Sequence, residues 1–410
     1  MSPELRALVM KEALERRPTT RANYWYPLAL PTYDGEEIAD ALEVMLSYET
    51  TMGARTLEFE RRFAEAQGAA HGLMVNSGSS ADLLLMLAAT DPTAPILPRG
   101  STVLVPAVTW PTHVWSVLMA GLQVRLVDVD PRTLNITRET LEAAYTADCS
   151  AVFVVHLLGN PCPMDEVLAF CRDHRLELLE DCCEALGASW GGRKVGTFGL
   201  GGTYSFFFAH HMMTMEGGAI VTNDPRIERS ARLMRAHGWA RALPEAARPL
   251  PPPGVDPRYC FLNWGVNFRP TEVAAAFGLR QLERLAHMNR IRAQRFVDIA
   301  QIFAGVGYRT PLVHPQAEPN WMAVPLMPDG AFPTRVPPRE ELVSRLEAGG
   351  VETRPVVAGN LARQPLPSAL SLAAAPSLAG ADQVHRDGLY VGLTLGPDPC
   401  DRLRSLLGSP

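Results

Sequence analysis

The sequence predicts an α/β protein: a largely parallel sheet covered by helices on both faces, followed by a smaller C-terminal unit. Three observations carry this reading. Short apolar runs at 102–106, 123–127, 151–156 and 176–179 alternate with helical segments at the spacing of strand–helix–strand crossovers. A chain of 410 residues is too long for one compact core and suits one large domain plus a smaller one. A composition of 47% hydrophobic and 20% charged residues excludes global disorder. The net charge of -6 gives no basic surplus for a nucleic-acid surface. No apolar run approaches the roughly 20 residues that span a bilayer.

Residues 1–18 are charged and read as an amphipathic helix rather than a signal peptide, so a cytoplasmic location is expected. Ile38, Ala41, Leu42, Met45 and Leu46 recur at helical spacing, so 36–48 is a helix. A short strand and a buried helix at 79–90 flank Asn76-Ser77-Gly78-Ser79-Ser80. Further strands are expected at 203–208 and 218–222. The Pro-rich stretch 243–256 reads as an exposed loop. A long helix from Thr271 to about Ala300 leads into the C-terminal unit. Domain boundaries are expected near 30/31 and 285/286. The seven cysteines are odd in number and contain no CxxC pair, so neither a disulfide framework nor a metal site is expected.

Four places carry potential chemistry. Gly78 and Ser79 open an apolar helix, where backbone amides and the helix dipole attract an anion such as phosphate; an ordinary Ser N-cap gives the same local pattern. Asp181 follows the 176–179 strand, at the sheet edge where α/β folds bind ligands. A buried Asp needs a cationic partner, such as a protonated ring nitrogen, unless it merely caps a turn. Trp110 either stacks on a flat ring or belongs to the core. His210 and His211 leave an aromatic strand just before Glu216-Gly217-Gly218, a placement suited to proton transfer. Metal binding is disfavoured there, because adjacent rings do not readily converge on one ion. Only Lys11 and Lys194 are lysines, so any lysine-dependent mechanism has two candidates.

Taken as an ordered set, these pieces resemble the DegT/DnrJ/EryC1/StrS sugar aminotransferase/dehydratase family. The resemblance runs from about Tyr26 to Gly392. It includes Thr51-Met52-Gly53, Asn76–Ser80, Asp128-Val129-Asp130, Glu180-Asp181, the Ser205–Gly218 run, Gly265–Arg269, Gly278–Leu282 and Arg354–Asn360. It implies the aspartate aminotransferase-like fold (type I) of pyridoxal-phosphate enzymes, with 31–285 as the cofactor-binding domain and 286–410 as a small α+β domain. It also implies roles. Gly78, Ser79 and Ser205 would hold the cofactor phosphate, Asp181 the pyridine nitrogen, Trp110 the ring face, and Glu184 the region of the cofactor hydroxyl. Asn267 would reach the phosphate of a neighbouring subunit, giving a homodimer with shared sites. Met52, Gly53, Arg354 and Asn360 would line the substrate.

The Schiff-base lysine of the family falls at His210, which resembles the subgroup of sugar 3-dehydratases. These deoxygenate C3 of nucleotide-linked 4-keto-6-deoxyhexoses, and the cofactor is then held non-covalently as pyridoxal or pyridoxamine phosphate. An imidazole with an ordinary pKa near 6.5 shuttles protons at neutral pH, whereas a lysine stays charged and favours transamination. Only Cys260 lies between His210 and Asn267, too few thiolates for an iron–sulfur cluster. L-glutamate is therefore the expected amino donor, with no reductase partner. The alternatives are an unusual aminotransferase and an inactive ligand-binding homologue.

Overall fold

The computed structural model describes residues 1–331, 336–367, 370 and 372–408. The strands of the first half are β1 (His71–Val75), β2 (Thr102–Pro106), β3 (Gln123–Val127), β4 (Cys149–Val155) and β5 (Glu177–Asp181). After them come the short hairpin β6 (Ser189–Trp190) and β7 (Arg193–Lys194), then β8 (Gly202–Ser205) and β9 (Gly218–Thr222). The C-terminal third adds β10 (Tyr308–Arg309), β11 (Ala317–Glu318), β12 (Ala323–Pro328), β13 (Thr353–Pro355), β14 (Ala373–Ala374) and β15 (Leu389–Gly392). Helices α1 (Pro3–Glu15), α2 (Gly35–Ser47), α3 (Ala54–Gln67), α4 (Gly78–Ala89), α5 (Thr112–Met119) and α6 (Arg138–Ala144) occupy the first part of the chain. They are followed by α7 (Met164–His174), α8 (Pro225–Met234), α9 (Glu272–Ala304), α10 (Arg339–Ala348), α11 (Ala379–Asp387) and α12 (Cys400–Leu407).

The main sheet has eight strands in the order β1-β9-β8-β5-β4-β2-β3-β14. Only β9 runs against its neighbours, pairing antiparallel with both β1 and β8. Strands β2, β4 and β9 are mainly apolar, as burial on both faces requires, and every residue of β2 and of β9 is buried. Parallel strands point the same way, so the ends of β1, β2, β5 and β8 open on one edge, and the loops leaving that edge build the site.

Strand β8 stops at Ser205, three residues short of the expected 208. There the chain turns back on itself: Phe206 N donates to Gly217 O (2.9 Å) and Thr214 N donates to Phe206 O (2.9 Å). The histidine pair therefore lies in a turn and not at a strand exit. Helix α1 forms as expected, capped by the Ser2 hydroxyl, but no residue of it is buried, and Leu5, Leu8 and Leu14 are exposed. It packs on α2, where Met10 abuts Gly35, and its apolar side chains are only partly covered. No helix among the described residues is long and apolar enough to cross a membrane. None of the seven cysteines is in a disulfide.

A second sheet, β10-β12-β15-β13, is antiparallel and caps its own core of Phe296, Ile299, Phe303, Val324, Leu346 and Val391. The expected boundary at 285/286 falls inside α9, an unbroken helix of 33 residues. Its first half packs on the large unit through Phe277 and Leu285, and its second half lies under the small sheet. Two segments cross between the units. Tyr26 is buried in the small core, its hydroxyl donating to Gly392 O (2.7 Å), and β14 adds an edge strand to the large sheet.

The link from large to small unit is tight at Gly159. Asn320 N donates to Gly159 O (3.1 Å) and Met322 N donates to Leu158 O (3.0 Å), immediately before β12. Gly159 has φ +101°, and a Cβ on it would lie 2.0 Å from Asn320 O. Gly159→Ala combines a strained backbone with that collision. It should lower unfolding free energy by about 3 kcal/mol in a urea titration. An unchanged midpoint would show that the junction yields freely.

Candidate active site

The loop between β1 and α4 supplies the anion cradle. Ser77 is the N-cap, its hydroxyl accepting from Ser80 N at 3.1 Å, so the capping alternative holds for Ser77 itself. The next amides, Gly78 and Ser79, have no carbonyl one turn earlier to bond and point out of the helix end. Gly78 is required by close approach: a Cβ there would sit 2.5 Å from Ser205 Cβ and 3.1 Å from Cys183 Sγ. Ser205, at the end of β8, thereby faces the start of α4, and Ser79 is exposed beside it. These three residues meet at one point of the sheet edge, where they could hold a phosphate.

Asp181 ends β5 with only 5% of its surface exposed. Its Oδ2 lies 2.7 Å from His113 Nε2, and its Oδ1 accepts from Cys183 N at 2.6 Å. Burial alone would raise the pKa of Asp181, but His113 and the Cys183 amide outweigh it, and the carboxylate is held below its usual range. Burial likewise opposes charge on His113, and Asp181 reverses that effect so that its pKa is raised. His113 Nδ1 is hydrogen-bonded to the Thr109 hydroxyl one helical turn away. The result is a buried anion with a fixed orientation, able to pair with a ring N–H. Trp110, three residues before His113, is 58% exposed, which excludes the core alternative and leaves its face available for stacking.

Sequence reasoning missed Asp82, on the first turns of α4. It is buried, accepts from the Thr203 hydroxyl at 2.7 Å, and has an oxygen within 4.8 Å of Asp181 and Cys183. Burial, and then the charge of Asp181, push Asp82 up to about 8. Two adjacent carboxylates cannot both ionise there at low cost, so Asp82 keeps a proton and Asp181 does not.

His210 and His211 diverge, although not by strand alternation. His210 is half-buried, with Nδ1 3.1 Å from Met322 Sδ and its ring 6.3 Å from that of Phe207. Burial pushes it down to about 4, with Asp181 pulling the other way. The ordinary value near 6.5 expected from sequence is therefore corrected. His211 is fully buried, and its Nε2 donates to Asn320 O at 2.9 Å. Neither lysine takes the place of His210: Lys194 Nζ donates to Gly187 O (2.7 Å) beside its own hairpin, and Lys11 lies on α1 near Glu15.

Glu184 lies three residues beyond Asp181, where its Oε2 accepts from Leu158 N at 2.7 Å and burial pushes it up to about 7. Across the cleft Arg354 pairs with Tyr390 in the small sheet and contacts Glu352 at 2.7 Å. Tyr390 is pushed up to about 12 by burial and then by the charge of Glu184, which places the small sheet against the site. Asn360 is different. It is fully buried, its Nδ2 donates to Asp382 (2.8 Å), and its Oδ1 accepts from Ala362 N (3.0 Å). One bond at each end of its amide ties down the loop, and one N–H and one lone pair of the group are left over.

Met52 and Asn267 meet elsewhere, in a pocket of about 300 Å³ with Trp239, Arg241 and Arg269. Asn267 Oδ1 accepts from Arg269 Nε at 2.9 Å. Gly53 begins α3, and the buried Glu272 organises this corner by accepting from Gly53 N (2.7 Å), Arg55 N (2.7 Å), Thr56 N (2.9 Å) and the Thr56 hydroxyl (2.6 Å). Another buried carboxylate, Glu180, is spent in the same way on Gly196 N, Phe198 N and Gly199 N. Its nearness to His156 and Cys182 therefore does not make a metal site.

The chain matches the model of the DegT/DnrJ/EryC1/StrS aminotransferase family over residues 31–398, and it belongs to that family. It is 35% identical over 371 residues to a GDP-4-keto-6-deoxy-D-mannose 3-dehydratase of Yersinia pseudotuberculosis, covering 90% of this chain and 93% of the relative. Its fold matches an E. coli GDP-4-keto-6-deoxy-D-mannose-3-dehydratase with bound hydrated PLP. The TM-score is 0.86 and the identity 33%, over 94% of this chain and 99% of that one. A GDP-4-keto-6-deoxymannose-3-dehydratase with a trapped PLP-glutamate geminal diamine matches equally well. Its TM-score is also 0.86 at 34% identity, over 93% of this chain and all of that one.

The Asp82–Asp181 pair makes a pH prediction. Folded Asp82 holds its proton up to about pH 8, whereas the unfolded chain loses it near pH 4. Between those values the folded state binds the extra proton, so the contribution of Asp82 to stability falls as pH rises from about 4 to 8. Asp82→Asn keeps an acceptor for Thr203 and removes the titration. The Tm of the variant minus that of the parent should grow from pH 5 to pH 8. A constant difference would mean that Asp82 ionises normally.

Proposed function

We propose that this protein deoxygenates C3 of a nucleotide-linked 4-keto-6-deoxyhexose in the cytoplasm, using non-covalently held pyridoxal/pyridoxamine 5′-phosphate and L-glutamate as amino donor. The observation that supports the reading is the meeting of Gly78, Ser205 and Asp181 at one sheet edge, with His210 in the turn after β8 and both lysines held elsewhere. When bound, the cofactor supplies an amine for the sugar ketone and a protonated pyridine ring that draws electrons from the reacting carbons.

The residues have separate tasks. The Gly78 and Ser79 amides and the Ser205 hydroxyl bind the phosphate. Asp181, kept ionised by His113, holds the proton on the pyridine nitrogen. Trp110 covers the ring and excludes water from it. Glu184, with its pKa near 7, hydrogen-bonds the ring hydroxyl in either protonation state. Arg354 supports the nucleotide-sugar side of the cleft, and Asn360 positions the loop that bounds it. His210 is neutral at pH 7 and can take a proton. Its low pKa makes the protonated ring a strong acid, suited to protonating the C3 hydroxyl as it leaves.

The reading includes a homodimer with shared sites. The pocket of Met52 and Asn267 has neither Asp181 nor Gly78 in its lining. Exposed Tyr48, Leu57, Phe261 and Trp264 provide apolar surface for a second copy. In that dimer Asn267 and Arg269 reach the partner's phosphate.

The test is product analysis with L-glutamate and a panel of GDP-, CDP- and dTDP-linked 4-keto-6-deoxyhexoses. One of these should yield a 3-deoxy ketosugar and ammonia. An amino sugar would mean transamination, and no product from any sugar would mean a binding homologue. His210→Asn should reduce deoxygenation by about 10²–10⁴-fold while cofactor still binds. Full turnover in that variant would overturn the role of His210.

A further inference from the structure

We infer that the thioether of Met322 fixes the tautomer of His210, placing the ring proton on Nδ1 and leaving Nε2 as the basic nitrogen. The inference rests on His210 being the proton carrier of the proposed reaction. Nδ1 lies 3.1 Å from Met322 Sδ. A methionine sulfur has no hydrogen to donate and acts only as a weak acceptor. At that distance the nitrogen must carry the N–H, because otherwise two lone pairs would face each other. A neutral imidazole has a single N–H, so its lone pair is then on Nε2.

The placement of Met322 explains why the two histidines are adjacent. Residues 320–322 form one short segment held from three sides. Met322 N donates to Leu158 O (3.0 Å), and Asn320 Nδ2 donates to Leu186 O (2.5 Å). His211 Nε2 donates to Asn320 O (2.9 Å). His211 thus grips the backbone of the segment whose side chain orients His210. Met322 and His211 are positioning residues, and neither needs to touch the substrate. The same segment enters β12, so the basic nitrogen is set by the junction between the two units.

The test uses holoenzyme labelled with ring-¹⁵N histidine. Two-bond ¹H–¹⁵N correlation at pH 8 reports which nitrogen carries the proton, and His210→Asn assigns the signal by its loss. The parent should show an Nδ1–H ring. Met322→Leu keeps the bulk and removes the acceptor, so it should shift His210 toward Nε2–H. It should also lower kcat by about two- to tenfold with KM unchanged, a smaller loss than removal of the ring. Met322→Gln returns an acceptor on a side chain of similar length and should restore both the Nδ1–H signal and kcat. A parent signal of the Nε2–H type, a Leu variant with the parent tautomer, or a Gln variant no better than Leu would each overturn the inference. The tautomer signal is read without turnover, so a failed proton-carrier role and a failed tautomer assignment are told apart.

Discussion

A carboxylate that stays ionised while almost fully buried sets the terms for the rest of this site. Taking the charge of Asp181 out of water is costly, and a lone buried Asp would neutralise itself by taking up a proton. Three arrangements prevent this. His113 faces one oxygen, the Cys183 amide donates to the other, and the neighbouring carboxyl of Asp82 keeps the proton that Asp181 gives up. Each has a structural source: α5 carries His113, the turn after β5 carries Cys183, and α4 carries Asp82. The helix that presents amides to an anion at its start therefore also supplies the neutral partner for the anion at the ring end.

The second constraint is the tight fit between β1, α4 and β8. Gly78 has no room for a side chain because Ser205 occupies that space, and this contact fixes the width of the phosphate cradle. The turn after β8 then brings His210 back over the edge while His211 anchors inward. A histidine at this point changes the electrostatics as well as the chemistry. A lysine would bring a charge and a competing amine, whereas burial keeps the imidazole neutral. In the proposed reaction proton transfer remains, and a covalent hold on the cofactor does not.

Much of this was legible in the sequence, for identifiable reasons. Strands 102–106, 123–127 and 218–222 have the ends the structure gives them, because these short runs rich in β-branched and apolar residues are bounded by polar or turn residues. Gly78, Asp181 and Trp110 sit at such boundaries, where pattern and chemistry coincide. His113, Asp82 and Met322 were not legible. His113 reads as one polar residue in an apolar helix, Asp82 as an ordinary helix polar position, and Met322 as core. Their significance comes from contacts across 68, 99 and 112 residues of sequence, which no local period encodes. The burial of Asn360 was not legible either: its amide bonds Asp382 and Ala362 N, contacts that the family-like segment does not encode. The low pKa of His210 was also invisible, since burial is a property of the packed turn.

The central claim is that the chain holds its cofactor by the phosphate cradle, Asp181 and ring stacking, with no covalent tether. The most direct measurement is intact-mass analysis of the pyridoxal-phosphate-loaded enzyme after borohydride reduction and denaturation. The account predicts the mass of the unmodified chain, with all cofactor recovered in the small-molecule fraction. A borohydride-stable adduct on the chain, mapped to Lys194, would contradict it.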